Sequence, residues 1–266
     1  MSGSQAHHPA HLEPSELGTK EYWDKLYANE VSNHAADPDD IGTVWFDDSD
    51  AQASIVDYLD SLAAPCSADD GSALLSKQAS LLDLGCGNGS LLLALRAAGW
   101  SGRALGVDYS QQGIALARSV AAHASSCHAR LLAPDFLHWD IINGPLDALA
   151  TSPACPALGW DLVLDKGTFD AISLAHDVDA HGRRLADCYR QRVLRLVRPN
   201  GGLFLITSCN WTDAELHAWF ADQAEPSAPD AAPDGRFQVA GHVKYKTFSF
   251  GGVKGQTIST VLFQKV

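Results

Sequence analysis

Residues Leu81-Leu-Asp-Leu-Gly-Cys-Gly-Asn-Gly89 are followed by a second apolar run, Ala104-Leu-Gly-Val-Asp-Tyr-Ser110, and the two together decide the fold. Leu81–Leu84 has the length and composition of a parallel strand buried on both faces. Gly85 and Gly87 then let the backbone turn sharply and come close to a ligand. Leu91 to Ala98 carries a helical pattern that Gly99 stops. Asp108 stands at the tip of the next apolar run, where a carboxylate can accept hydrogen bonds from both hydroxyls of a ribose. Strand, glycine turn, helix, strand and acid form one nucleotide-binding unit.

The rest of the chain continues the alternation. Further strands are expected at Ala129–Leu132, Trp160–Leu164 and Leu203–Thr207, with helices near 110–124 and 180–198 between them. Such an alternation builds an α/β fold with a mostly parallel sheet covered on both faces. Upstream, a helix from about Ser15 to Glu30 gathers Tyr22, Trp23, Leu26 and Tyr27 on one face, which either packs on the sheet or lies over the ligand as a lid. Ala51–Ala63 is a second amphipathic helix. Downstream, Thr212-Asp-Ala-Glu215 is a capping box. Val243–Phe250 and Thr257–Gln264 read as an antiparallel hairpin that closes the sheet. Residues 1–14 have little to bury and are expected to be disordered. Stretches near 63–79, 144–158 and 225–235 read as surface insertions in a single domain over residues 15–266.

Composition narrows the partners. A chain of 266 residues that is 46% hydrophobic can bury one large core. The net charge of −13 argues against direct nucleic-acid binding, because phosphate backbones select basic surfaces. That acidity either keeps the protein soluble or suits a basic partner. The six cysteines form no C-x-x-C pair, which fits reduced thiols and a cytoplasmic location. No run approaches the roughly 20 apolar residues of a membrane span, and no metal site is expected.

Candidate chemistry lies at the expected carboxyl ends of the strands, where open α/β sheets bind ligands. Asp165, in Trp160-Asp-Leu-Val-Leu-Asp-Lys-Gly-Thr-Phe-Asp-Ala171, falls beside the glycine turn, where it can face the cofactor site, cap the turn that follows, or do both. Phe169 is a candidate pocket wall. Asp135-Phe136, just past the expected third strand, could bond an adenine amino group and cover its ring, with Tyr109 on the other side. Trp45 and Phe46 sit among Asp37, Asp39, Asp40, Asp47, Asp48 and Asp50, which form either an acidic lip for a basic substrate segment or a solvated loop.

The glycine spacing bears on the cofactor. Dinucleotide folds use G-x-G-x-x-G, whereas this turn is G-x-G-x-G with Asp83 inside the strand, a pattern that resembles motif I of class I S-adenosylmethionine-dependent methyltransferases. A small-molecule methyltransferase, an NAD-dependent dehydrogenase and a non-catalytic binding module are the alternatives. The dehydrogenase lacks its third glycine, and no Tyr is followed four residues later by Lys.

Several longer blocks point further. Leu17-Gly-Thr-Lys-Glu-Tyr-Trp-Asp24, Trp45-Phe46, Asp165-Lys-Gly-Thr-Phe-Asp-Ala-Ile-Ser173, Ile206-Thr-Ser-Cys-Asn-Trp-Thr212 and Phe248-Ser-Phe-Gly-Gly252 resemble one family. It is the eukaryotic lysine methyltransferases acting on translation elongation factor 1-alpha, called elongation factor 1-alpha lysine methyltransferase 2 in animals and elongation factor methyltransferase 4 in fungi. The resemblance implies a seven-stranded Rossmann-like fold, S-adenosyl-L-methionine as cofactor and elongation factor 1-alpha as substrate protein. It implies cofactor contacts at Gly85, Gly87, Asp108, Asp135 and Phe136, and an active-site position for Asp165. Trp23, Cys86, Asn88, Gly89, Tyr109 and Asp165 join the candidate cofactor set. Asp165 and Trp45 are the candidate catalytic pair, and Trp45, Phe46, Phe169, Asn210 and Trp211 the candidate substrate wall. No Asn-Pro-Pro-Tyr sequence is present, which favours a lysine over an exocyclic amine or an amide.

Overall fold

The computed structural model describes residues 9–63, 74–127, 132–150, 156–221, 235–245, 248–250, 253–255 and 257–266. A 3-10 turn at Glu16–Gly18 leads into α1 (Lys20–Ala36), and Thr19 caps that helix by accepting from the Tyr22 N–H at 3.4 Å. α2 (Ala51–Ala63) follows. Then come β1 (Leu81–Leu84), α3 (Ser90–Ala97), β2 (Ala104–Asp108), α4 (Gln111–Cys127), β3 (Asp135–His138), α5 (Leu146–Ala150) and β4 (Leu162–Lys166). α6 (Thr168–Ser173), α7 (Leu185–Leu196), β5 (Leu203–Ser208) and α8 (Asp213–Phe220) complete the parallel half. β6 (Phe237–His242), β7 (Phe248–Phe250), β8 (Val253–Gly255) and β9 (Ser259–Lys265) end the chain.

Among the described residues, seven strands form one sheet in the order β3-β2-β1-β4-β5-β9-β6. The first five are parallel, and β9 runs antiparallel between β5 and β6. Strand alternation divides the core in two. Leu82, Leu84, Val163 and Phe204 face α7 and α8 on one side of the sheet, while Leu81, Leu162 and Leu205 face α2 and α3 on the other. β1, β2 and β5 are buried along their whole length, which explains why their apolar residues do not alternate with exposed polar ones.

Several boundaries move from the sequence expectation. The third strand is Asp135–His138; of the expected Ala129–Leu132, residues 129–131 lie outside the described residues, and Leu132 is exposed and in no strand. The fourth strand begins at Leu162, with Trp160 in a single bridge to Val197. The first helix starts at Lys20 rather than near Ser15, because Thr19 supplies the cap. The partner of the last strand is Phe237–His242, not Val243–Phe250; Phe248–Phe250 pairs with Val253–Gly255 in a separate small hairpin. The capping box at Thr212 and Glu215 is present.

The expected disordered tail and insertions fall partly outside the description, at residues 1–8, 64–73, 151–155 and 222–234. The described part of the tail is packed: the His11 ring lies 5.8 Å from that of Trp219, and the Leu12 carbonyl accepts from Arg184. No helix among the described residues is long and apolar enough to cross a membrane.

Candidate active site

The strand order reverses between β1, whose chain leads outward to β2 and β3, and β4, which leads the other way to β5. Such a switch point opens a crevice at the carboxyl ends of the strands. Here it is a cleft of about 340 Å³. Gly85 follows β1, Asp108 ends β2, Lys166 ends β4 and Asn210 follows β5, and all four line it. The 3-10 turn and the start of α1 bring Leu17, Lys20 and Trp23 to the cleft.

Gly85 has φ +63°, and a Cβ there would lie 2.1 Å from the Thr168 Oγ1. That hydroxyl donates to the Leu84 carbonyl at 2.6 Å. Thr168 therefore fills the space a side chain would need, and the bare backbone of Gly85 faces the cleft. The Gly87 N–H donates to Asp108 Oδ2 at 3.1 Å, and the Ser110 N–H to Oδ1 at 2.8 Å. Burial pushes the Asp108 carboxyl up to about 6, against these two hydrogen bonds. Ser110 also donates to Asp24 of α1 at 2.6 Å, which fastens that helix to the end of β2. Tyr109 lines the cleft beside Asp108, with the Lys20 ammonium 5.7 Å above its ring.

Trp23 and Trp45 form an aromatic wall with their rings 5.2 Å apart. Phe46 lines the cleft next to them. Lys166 reaches this wall from β4: its Nζ donates to the Trp45 carbonyl at 3.1 Å and stands 5.9 Å from the centre of the Phe46 ring. Burial pulls the Lys166 ammonium down, while Asp83 and Asp165 hold it up. Burial likewise raises the Asp83 carboxyl.

Other sequence candidates sit elsewhere. Asp165 is 1% exposed and does not reach the cleft. Its oxygens accept from the Thr168 N–H at 2.8 Å, the Phe169 N–H at 3.0 Å and the Tyr189 hydroxyl at 2.6 Å. It thereby ties the start of α6 to Tyr189 of α7, and burial pushes it up to about 7. Phe169 and Trp211 are core residues, not cleft walls: Phe169 packs among Tyr189, Trp219 and Phe220 at ring distances of 5.1–5.3 Å. The Trp211 indole N–H is turned inward onto Ser173 at 3.2 Å.

Asp135 and Phe136 are also displaced. They open β3 instead of following it, so Asp135 is exposed at the amino end of the strand, away from the cleft. Phe136 lies beneath the glycine turn, where its ring fills the space beside Gly89 and Gly106. The Cys86 side chain packs into the same core, so neither it nor Gly89 lines the main cleft. Asn88 turns away from the cleft, and its Nδ2 donates to the carbonyls of Ile41 at 2.9 Å and Thr43 at 3.2 Å.

The cleft holds residues that sequence reasoning missed. Trp139, Asp140, Ile141 and Ile142 follow β3 and occupy the place expected of Asp135 and Phe136. The signal was there: Trp139-Asp140 is a second pairing of an aromatic residue with an acid, four residues further on. Asp170 is a further addition. It accepts from the Ser208 hydroxyl and from the Cys209 N–H at 2.8 Å, and so holds the turn that presents Asn210.

The sequence profile of a family described as "Methyltransferase domain" matches residues 75–252. The chain is similar to "Protein-lysine N-methyltransferase EFM4" of Saccharomyces cerevisiae, with 36% identity covering 96% of this chain and 97% of that one. It is 31% identical to "EEF1A lysine methyltransferase 2" of Homo sapiens, covering 95% and 88% respectively. Among solved structures, magnesium protoporphyrin IX methyltransferase (ChlM) from Synechocystis PCC 6803 with bound SAM superimposes with a TM-score of 0.51 over 95% of this chain and 98% of that one, at 16% identity. This last likeness concerns the fold.

Proposed function

We propose that this chain, which belongs to the methyltransferase family of EFM4 and EEF1A lysine methyltransferase 2, transfers methyl groups from S-adenosylmethionine to a lysine of translation elongation factor 1-alpha. The observation that carries the reading is the near-full-length similarity to two named lysine methyltransferases. The cleft supports it with residues that fit the cofactor.

The bare backbone at Gly85 and the Asp108 carboxylate suit the sugar and the chain beside it. Tyr109, Trp139, Asp140 and Ile141 offer flat apolar faces and a carboxylate to the adenine. When bound, S-adenosylmethionine supplies an activated methyl on a sulfonium, so the protein's task is alignment and desolvation. Trp23, Trp45 and Phe46 face a cation well. A target lysine must arrive as a neutral amine although its free pKa is about 10.4, and an aromatic, water-poor wall favours that form. The acids around Trp45 draw a basic segment toward the cleft, and the excess negative charge of the whole chain acts the same way.

Incubation with methyl-labelled cofactor and unmodified elongation factor 1-alpha should label a lysine of that protein. Label appearing only in added metabolites would move the reading to a small-molecule acceptor.

The buried Asp108 makes cofactor affinity depend on pH. Ribose hydroxyls donate to the ionised carboxylate, so affinity should be full above about 6 and decline as pH falls through it. Calorimetric titration across that range checks this, and Asp108→Asn should bind weakly with the dependence gone. Folding runs the other way. A carboxyl raised from about 3.9 in the unfolded chain to about 6 in the folded one binds more protons folded, so its contribution to stability is lost as pH rises between those values.

A further inference from the structure

The segment Ile41–Phe46 crosses the mouth of the cleft as a strap, and three different elements fasten it. Asn88, in the glycine turn, donates to the Ile41 and Thr43 carbonyls. Glu30 of α1 accepts from the Thr43 N–H at 2.8 Å. Lys166 at the end of β4 donates to the Trp45 carbonyl. Asn88 and Glu30 are 4% and 5% exposed, so the side chains that hold the strap are themselves buried, and leaving their polar groups unmet is costly.

Beyond the anchors the backbone is held in an unfavourable form. Phe46 at φ +65° and Asp50 at φ +53° are left-handed residues with side chains, on either side of the 3-10 turn Asp47–Ser49. Such residues persist only where the surroundings over-determine them, and they gather at functional sites. The far end rests on the segment entering β9, with the Ser49 and Thr257 hydroxyls 2.9 Å apart. The Trp45 indole N–H is buried with no acceptor among the described residues. The strap thus carries the Trp45 and Phe46 rings to the cleft.

We propose that Asn88 is a positioning residue for the protein substrate: it belongs to the cofactor turn in sequence, but its side chain holds the Trp45–Phe46 wall. The substrate wall is then built on the cofactor turn through two hydrogen bonds spanning more than forty residues of sequence. The identity of the substrate rests on the reading above; the mechanical role of Asn88 does not.

Asn88→Asp tests the donation to the strap alone. Its carboxylate still accepts from the Ser90 N–H, as the Asn88 oxygen does at 3.1 Å, but it cannot donate to the strap. Asn88→Ala loses both. In both variants the KM for elongation factor 1-alpha should rise about tenfold or more while the dissociation constant for S-adenosylmethionine, measured by calorimetry, stays within about threefold. The melting temperature should drop in both variants, because each leaves the Ile41 and Thr43 carbonyls without their donor, so the split between KM and cofactor affinity carries the distinction.

Asn88→Asp showing the wild-type KM overturns the proposal. So does cofactor affinity falling together with KM, which would return Asn88 to the cofactor. Hydrogen exchange of the 41–46 amides gives a readout that needs no substrate: exchange should quicken in both variants, and unchanged exchange also overturns the role. If wild type labels no elongation factor while exchange behaves as stated, the substrate reading has failed and the strap has not.

Discussion

A Gly85→Ala variant should lose methyl transfer and bind S-adenosylmethionine about a hundredfold more weakly, a change of about 2.7 kcal/mol. Two costs act together. Alanine at φ +63° costs about 1–2 kcal/mol on its own. The new methyl would also meet the Thr168 Oγ1 at 2.1 Å. Thr168 cannot swing aside freely, because its hydroxyl holds the Leu84 carbonyl and its N–H is held by Asp165. The turn must therefore move into the cleft, where its backbone faces the cofactor. The steric account makes a second demand: adding Thr168→Ala to Gly85→Ala should recover part of the lost affinity. Calorimetry on the two single variants and the double variant measures the coupling, and a double variant weaker than Gly85→Ala would contradict the clash.

The second large effect is on stability. Asp165→Ala should lower the melting temperature by on the order of 10 °C, from a loss of about 3–5 kcal/mol. It strips the acceptor from the Tyr189 hydroxyl and from the Thr168 and Phe169 N–H groups, all in a part of the core that water does not reach. Asp165→Asn should fall between, since its single oxygen can serve some of these donors while its NH₂ faces others. The fraction of Asp165→Ala protein that stays folded should still bind cofactor with near wild-type affinity. A normal melting curve with lost turnover would instead place Asp165 at the reacting atoms. The pair Gly85→Ala and Asp165→Ala therefore separates the cleft from its scaffold: the first should affect mainly binding, the second mainly folding.

The two outcomes reflect what a sequence can and cannot reveal. The unit from Leu81 to Asp108 was legible because its determinants are local: an apolar run, a glycine turn and an acid at the next strand tip. Family membership was legible from blocks such as Asp165–Ser173 and Ile206–Thr212, and the comparisons bear it out. The site within those blocks was less so. Asp165 and Phe169 look exposed to chemistry in the sequence, but Tyr189, Trp219 and Phe220, which bury or engage them, arrive from α7 and α8. Placing the third strand too early assigned Asp135 and Phe136 the position that Trp139 and Asp140 occupy. Two acid–aromatic pairs lie within six residues, and only the packing of Phe136 under Gly89 and Gly106 distinguishes them. Asn88 was read by its neighbours in the chain, whereas its hydrogen bonds go to Ile41 and Thr43.

The most direct test of lysine methylation on elongation factor 1-alpha uses cells that lack this gene. Peptide mass spectrometry of the factor from those cells should show one lysine losing its methyl groups. Wild-type protein should restore them, and Gly85→Ala should not. Unchanged methylation at every lysine of elongation factor 1-alpha in the deletion strain would contradict the account.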